Sequence, residues 1–310
     1  MQITSSNQLP MDKKQAKSFQ LADNLAIKID QLKIIFNENS DEEVLVLNPL
    51  SIEFPKNQIY FIVGDSGSGK TTLINHFNGL IRSKYGNIFV ENSKIIGQKR
   101  TIPQFKKLRK SVGMVFQFPE YQLFKDTVLK DVMFGPINLG VKKLIAQELG
   151  KKYLKKLGIS EELFSRSPFN LSGGQKRRVA IAGILAIEPN IVVFDEPTAG
   201  LDPVGIEEML AIIKELKTQN KTVFVITHEM DAVLRLADQV IVLGENAVLG
   251  YDTPYNIFTN ENIMSKTSLI KPKVIQTIDK LVEKNEKFKK LYDAKPRNIE
   301  ELANAIKEMI

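Results

Sequence analysis

A fully apolar run, Ile59-Tyr60-Phe61-Ile62-Val63, passes without a break into Gly64-Asp65-Ser66-Gly67-Ser68-Gly69-Lys70-Thr71. A buried strand, a G-x-x-x-x-G-K-[ST] turn and a helix in that order demand an α/β fold, with the turn at the C-terminal edge of a parallel sheet. The glycines let the backbone curl with its N–H groups inward, around the β- and γ-phosphates of a nucleotide. Lys70 adds a point charge, Thr71 a hydroxyl ligand for Mg²⁺, and Thr72 continues the first helical turn.

Three further apolar strands end in residues suited to the same chemistry. Ile191 to Phe194 delivers Asp195 and Glu196, Thr222 to Ile226 delivers His228, and Val112 to Phe116 delivers Gln117. In open α/β sheets ligands bind at this edge, so the two acids suit a metal and a water, with His228 and Gln117 beside them. Leu171-Ser172-Gly173-Gly174-Gln175 opens another helix, whose bare N–H groups and positive dipole end suit an anion. Pro203, after Asp202, marks a further helix start.

The rest of the chain is read around this core. Alternation over Leu25 to Ile29 and Leu32 to Phe36, then Val44 to Leu47 and Leu50 to Phe54, predicts a small antiparallel sheet. A strand at Asn87 to Val90 is expected to return to the nucleotide-binding sheet. From Tyr121 to Asn170 the spacing is helical, with Val128, Val132, Phe134, Leu144, Leu149, Tyr153, Leu154 and Leu157 on apolar faces. Lys176, Arg177 and Arg178 read as a solvated helix turn, and His76 as a structural histidine. Beyond Lys271, lysine- and glutamate-rich helical spacing predicts a small appendage.

Composition removes other classes. There is no cysteine, so disulfide, zinc-thiolate and thiol chemistry are absent, as suits a reducing cytosol. Residues 1 to 20 lack the apolar run of a signal peptide, and no stretch of about eighteen apolar residues encodes a membrane span. Work at a membrane would therefore require another subunit as anchor. The net charge of +7 is lysine-rich and dispersed, which reads as a solvated surface and not as a nucleic-acid interface.

Together, the phosphate loop, Gln117, Leu171 to Gln175, Asp195-Glu196, Ala199 to Asp202 and His228 resemble the ATP-binding cassette (ABC) ATPases. The resemblance implies a P-loop NTPase of ABC type, with a RecA-like core, an antiparallel β subdomain and a helical subdomain at about 121–185. It places a flexible leader at 1–23, the nucleotide-binding domain at 24–260 and a helical appendage at 261–310. It implies that Gly64 to Lys70 hold phosphates, that Thr71, Gln117 and Asp195 address Mg²⁺, and that Glu196 polarises the attacking water while His228 steadies it. Ser172, Gly173, Gly174 and Gln175 would serve a nucleotide on a neighbouring cassette, Asp202 would span the interface, and Phe36 would stack on adenine.

A narrower resemblance lies in His76 to Leu80, Phe116 to Phe124 and Ser167-Pro168-Phe169. These are similar to the second ATPase subunit of energy-coupling-factor (ECF) transporters. That family implies a second, related ATPase, a transmembrane coupling subunit and a capture subunit for a vitamin or metal ion, which would hold this chain peripherally at the cytoplasmic face of the cell membrane. Glu120, beside Gln117, is a candidate to accept a basic side chain from the coupling subunit. Three other readings stay open: an ATPase of another ABC importer class, a cassette that binds ATP as a clamp without turnover, and a DNA-maintenance or translation ATPase of the same superfamily.

Overall fold

The computed structural model describes residues 21–96 and 105–309. The expected leader lies outside these residues except for its last three, of which Leu21 is buried against Leu25 and Phe89.

The chain begins with two long strands, β1 (Leu25–Phe36) and β2 (Val44–Pro55). The sequence suggests one interrupted strand followed by two short ones; the first is β1, and the two short ones are a single strand, β2. The interruption within β1 is a register shift between Asp30 and Lys33, with Gln31 at φ 50°. Next come β3 (Ile59–Gly64), α1 (Lys70–Phe77), β4 (Tyr85–Val90), β5 (Ser93–Ile96), α2 (Phe105–Ser111) and β6 (Val112–Val115). The helical section holds α3 (Val128–Asn138), α4 (Lys143–Lys156) and α5 (Gly173–Leu185). Then follow β7 (Ile191–Asp195), α6 (Pro203–Thr218), β8 (Thr222–Ile226), α7 (Met230–Leu236), β9 (Gln239–Gly244) and β10 (Ala247–Asp252). Five helices close the order: α8 (Pro254–Phe258), α9 (Glu261–Ser265), α10 (Lys273–Lys284), α11 (Leu291–Ala294) and α12 (Ile299–Lys307).

Two sheets result. The smaller is antiparallel in the order β2-β1-β4-β5, and the larger runs β10-β9-β3-β8-β7-β6, parallel except for the β9–β10 hairpin. The strand at Asn87 to Val90 is thus part of β4 and pairs with β1, not with the nucleotide-binding sheet. Alternation identifies a strand but does not choose its partner.

Both faces of the larger sheet are covered, which is why its strands read as unbroken apolar runs. Along β3 the side chains alternate between two cores. Ile59, Phe61 and Val63 join the helical section, while Tyr60 and Ile62 join α1 and the antiparallel sheet. On the second face Tyr60 stacks on Phe224 at 4.9 Å, with Phe54 and Phe77 edge-on to Phe224 at 5.1 and 5.0 Å. Each such contact adds about 0.5–1.5 kcal/mol beyond its burial. The cluster ties β2, β3, β8 and α1, the elements on either side of the phosphate loop among them, into one core.

The first face also receives the C-terminal helices. Val274, Ile275, Ile278, Leu291 and Leu302 belong to the same core as Phe61 and Val63. Tyr255 donates its hydroxyl to the Pro296 carbonyl at 2.7 Å, and Arg297 reaches the Ala237 carbonyl at 3.2 Å. Among the described residues no helix is long and apolar enough to cross a membrane.

Candidate active site

The phosphate loop is the five-residue turn, Asp65 to Gly69, between β3 and α1. Gly64, Gly67 and Gly69 hold φ of 140°, 78° and 90°, the region that glycine reaches without a Cβ clash. Lys70 is 6 % exposed, and its ammonium donates to the Gly64 and Asp65 carbonyls at 2.8 and 2.7 Å. Burial lowers its pKa, while Glu196, Asp65 and Asp195 act to raise it. Val46, Ser66, Gly67, Gly69, Lys70, Thr71, Thr72, Glu196 and His228 line a cavity of about 250 Å³ over this loop.

The opposite wall comes from the ends of β7 and β8, where Glu196 and His228 line the cavity. Asp195 ends β7, 8 % exposed, and accepts from the Thr71 hydroxyl at 3.1 and 3.3 Å. Burial raises its pKa, the Thr71 hydrogen bond opposes this, and the Glu196 charge raises it again. Glu196 sits in the left-handed region at φ 48°, a strain of about 1–3 kcal/mol that turns its side chain off the strand. Its Oε2 accepts from Gln117 Nε2 at 3.3 Å and its Oε1 lies 3.2 Å from His228 Nε2. The strand ends therefore bring together Gln117, Glu196 and His228, with Thr71 and Asp195 as a second oxygen pair.

These residues fit a magnesium nucleotide. The Ser68 hydroxyl is buried without a protein partner, and a Cβ on Gly67 would meet nothing within 4 Å, so the loop has both an unused polar group and room inside it. The metal donors are all oxygen, as Mg²⁺ prefers, and it commonly completes its shell with phosphate and water. Among the described residues no group of three or more His, Cys, Asp or Glu could hold a metal unaided.

The glycine-rich start of α5, the signature segment Leu171 to Gln175, lies elsewhere. Ser172 caps the helix: its hydroxyl accepts from Gln175 N at 3.3 Å, and Gln175 Oε1 accepts from Ser172 N at 3.0 Å. The amides of Gly173 and Gly174 fall in the first turn, which has no intrahelical acceptors. Asp202 caps α6 through Gly205 N at 2.8 Å. Gly174 and Asp202 line a second cavity of about 430 Å³, shared with Arg177, Arg178, Gly200 and Glu208 and with no residue of the phosphate-loop cavity. Phe36, 39 % exposed, pairs with Val44 at the end of the β1–β2 ladder and lines neither cavity.

Some features escape a reading of the sequence. Val46 lines the phosphate cavity from β2, and only its place in an alternating strand hints at that. The Asp65 carboxylate is turned away to Ser268, which donates its N–H at 2.9 Å and its hydroxyl, holding the Asp65 pKa down. Arg177, expected in a solvated turn, is 5 % exposed and sits against Glu120. Phe134 and Leu144 lie on outward faces, 39 % and 79 % exposed, with Tyr121, Phe124, Ile137 and Ile145 also exposed. His76 is buried, its Nδ1 2.7 Å from the Thr72 carbonyl, and burial lowers its pKa, as a structural histidine requires.

Comparison with known proteins agrees with this geometry. A family profile described as ABC transporter matches residues 47–199. The chain is 52 % identical over 290 residues, 94 % of this chain and 96 % of the relative, to the energy-coupling factor transporter ATP-binding protein EcfA2 of Mycoplasma pneumoniae. It is 53 % identical to the EcfA2 of Mycoplasmoides gallisepticum, over 92 % of this chain and 91 % of that protein. Among solved structures, cbiO1 of Clostridium perfringens, described as part of the ABC transporter complex cbiONQ, superposes with a TM-score of 0.67 at 33 % identity, covering 84 % of this chain and 99 % of that one. The ATP-binding cassette MJ0796, in a dimeric post-hydrolysis state bound to ADP and Pi, gives 0.64 at 27 % identity, covering 74 % and 98 %. A phosphate loop, a carboxylate pair and a separate signature cavity, on a fold shared with these cassettes, place the chain in the ABC transporter family, among the energy-coupling factor transporter ATP-binding proteins.

Proposed function

We propose that this chain hydrolyses Mg-ATP at a site completed by a second, related ABC ATPase, and that the hydrolysis drives an energy-coupling factor importer of a vitamin or a metal ion. The carrying observation is Glu196, fixed from both sides by Gln117 and His228 at the rim of the phosphate cavity. A carboxylate so held is placed to take the proton of an attacking water as its oxygen bonds to the γ-phosphorus and ADP departs with the bond pair. Lys70 and the loop amides hold the phosphates. Thr71, Asp195 and Gln117 would hold Mg²⁺, which when bound neutralises phosphate charge.

The separation of the signature cavity from the phosphate cavity supports a composite site. Ser172 to Gly174 would contact a nucleotide held by the partner, and Asp202 would face that partner. Exposed Tyr121, Phe124, Phe134, Ile137, Leu144 and Ile145 on the helical section suit docking of a transmembrane coupling subunit, which with a capture subunit would hold the chain at the cytoplasmic face of the membrane. We read residues 24–260 as the cassette, 121–185 as its helical subdomain and 261–310 as an appendage packed on the same core.

The test is Glu196→Gln in the membrane-purified complex. Phosphate release is expected to fall roughly 10²–10⁴-fold with ATP affinity retained. Near-normal turnover would remove Glu196 as the base. A wild-type complex that binds ATP without releasing phosphate would mark a regulatory clamp, and a chain that never co-purifies with membrane subunits would point to a non-transport ATPase.

A further inference from the structure

Two loops meet on one buried side chain of α5 that the nucleotide site does not use. Arg177, in the first turns of α5, is 5 % exposed. Its two terminal nitrogens donate to the Ala199 carbonyl at 3.0 and 3.1 Å, and its Nε lies 3.3 Å from Glu120 Oε2. The guanidinium centre is 5.8 Å from the Phe118 ring centroid. Phe118 follows Gln117 and holds a left-handed φ of 54°, and its ring closes on Gly200, where an added Cβ would lie 3.4 Å away.

Each contact belongs to a segment with a role in hydrolysis. Glu120 and Phe118 sit on the loop that carries Gln117. Ala199 sits between Glu196 and the Asp202 cap of α6, and Ala199 N donates to the Glu196 carbonyl at 3.2 Å. Arg177 itself rides on the helix that begins with Ser172, Gly173 and Gly174. A buried charge is tolerated only where its donors are used, and here the fork is split between a carbonyl and a carboxylate. An ammonium has the charge but not the planar fork that serves both acceptors.

The Glu120 arm is loose. At 3.3 Å the charges touch, but neither Arg177 Nε nor Glu120 Oε2 makes an aligned hydrogen bond with any partner. The Ala199 arm is tight. The side chain is therefore anchored at one loop and slack at the other, so a small shift of α5 against the Gln117 loop changes the Glu120 contact first.

We propose that Arg177 is a positioning residue for hydrolysis, holding the signature helix, the Gln117 loop and the Glu196–Asp202 loop in one register so that the signature's engagement of a partner-bound nucleotide places Gln117 at the water. This rests on the reading of Gln117 and Glu196 as hydrolytic groups, and Glu196→Gln is run beside it: turnover that survives Glu196→Gln overturns that reading, not this one.

The experiment compares Arg177→Met, Arg177→Lys and Glu120→Gln in the assembled transporter, measuring ATP affinity by equilibrium binding and kcat by phosphate release, per folded complex. Arg177→Met is expected to lower kcat roughly 10- to 100-fold with ATP affinity within about twofold, as displacement of a catalytic group by about 1 Å can do. Arg177→Lys is expected to recover less than half of the loss, since it keeps charge without the fork. Adding Glu120→Gln to Arg177→Met is expected to change kcat little, because both remove one contact. If Arg177→Met fails to assemble, Arg177→Lys carries the same comparison. Unchanged kcat, parallel loss of affinity and kcat, full rescue by lysine, or multiplicative effects of Arg177 and Glu120 would each overturn the proposal.

Discussion

Alanine at Gly64 and at Gly67 should part the two jobs of the phosphate loop. At Gly64, φ is 140° and a Cβ would lie 2.0 Å from the Leu243 carbonyl oxygen and 2.9 Å from its carbon. Both are backbone atoms of β9, opposite Gly64 in the parallel ladder, so no rotamer change relieves the clash. The strand ends must separate, at about 1–3 kcal/mol for overpacking, about 1–2 kcal/mol for the backbone conformation and about 1 kcal/mol for a weakened ladder bond. The same shift carries the Gly64 carbonyl away from Lys70 Nζ, now 2.8 Å distant. At Gly67, φ is 78° but nothing lies within 4 Å of a Cβ, so only the conformational cost of about 1–2 kcal/mol applies. The difference is about 2–4 kcal/mol, or roughly 3–6 °C in melting midpoint for a chain of this size. Gly67 does line the phosphate cavity, so its methyl should intrude on the ligand and weaken ATP by about tenfold or more. Thermal unfolding and equilibrium ATP binding measure the two axes: Gly67→Ala folded but weak in binding, Gly64→Ala lowered in both. Equal melting midpoints for the two variants, or wild-type ATP affinity in Gly64→Ala, would refute the reasoning.

Other outcomes follow from single contacts. Asp195 carries a raised pKa because it is buried, so in the nucleotide-free chain it favours folding most below its unfolded pKa, and that contribution is lost as pH rises through the folded value. Asp195→Asn should therefore raise the neutral-pH melting midpoint while abolishing Mg²⁺-dependent phosphate release; a lowered midpoint would show that the Thr71 hydrogen bond outweighs burial. Ser268→Ala removes the hydroxyl that, with Ser268 N–H, turns Asp65 from the phosphates, and ATP affinity should fall about two- to fivefold, as expected for one exposed hydrogen bond. That loss should vanish in an Asp65→Ser background, and persistence there would detach it from Asp65. Leu144→Glu on the outward face of α4 should leave the melting midpoint and ATP binding unchanged but lower co-purification with membrane subunits.

The sequence made the site legible where its groups are tied to strand ends. The phosphate loop is contiguous, and Gln117, Asp195, Glu196 and His228 each follow an apolar strand whose C-terminal edge is where ligands bind. Gln117 and His228 reach Glu196 at 3.3 and 3.2 Å because β6, β7 and β8 are neighbours in the sheet. What stayed hidden depends on distant packing. Lys176, Arg177 and Arg178 are alike as letters, and only the approach of Glu120 and Ala199 buries the middle one. Helical spacing placed Phe134 and Leu144 on apolar faces but could not say whether protein or partner covers them. Ser268 and Asp65 are 203 positions apart, and no local pattern joins them.

The charges around the phosphate cavity explain why nucleotide and metal should arrive together. Lys70 is the one lysine or arginine among the described residues lining it, and main-chain carbonyls, not a carboxylate, hold its ammonium. Its charge is thus unspent. Glu196 lines the cavity and Asp195 is bonded to Thr71, which also lines it, so each would repel an incoming triphosphate; burial already disfavours the charged form of Asp195. A second phosphate-directed cation, held by Thr71 and Asp195, would relieve both penalties at once. Removing Mg²⁺ should then weaken ATP binding more in wild type than in Asp195→Asn, because the variant has one repelling charge fewer. An equal loss in both would mean that Asp195 does not face the phosphates at all.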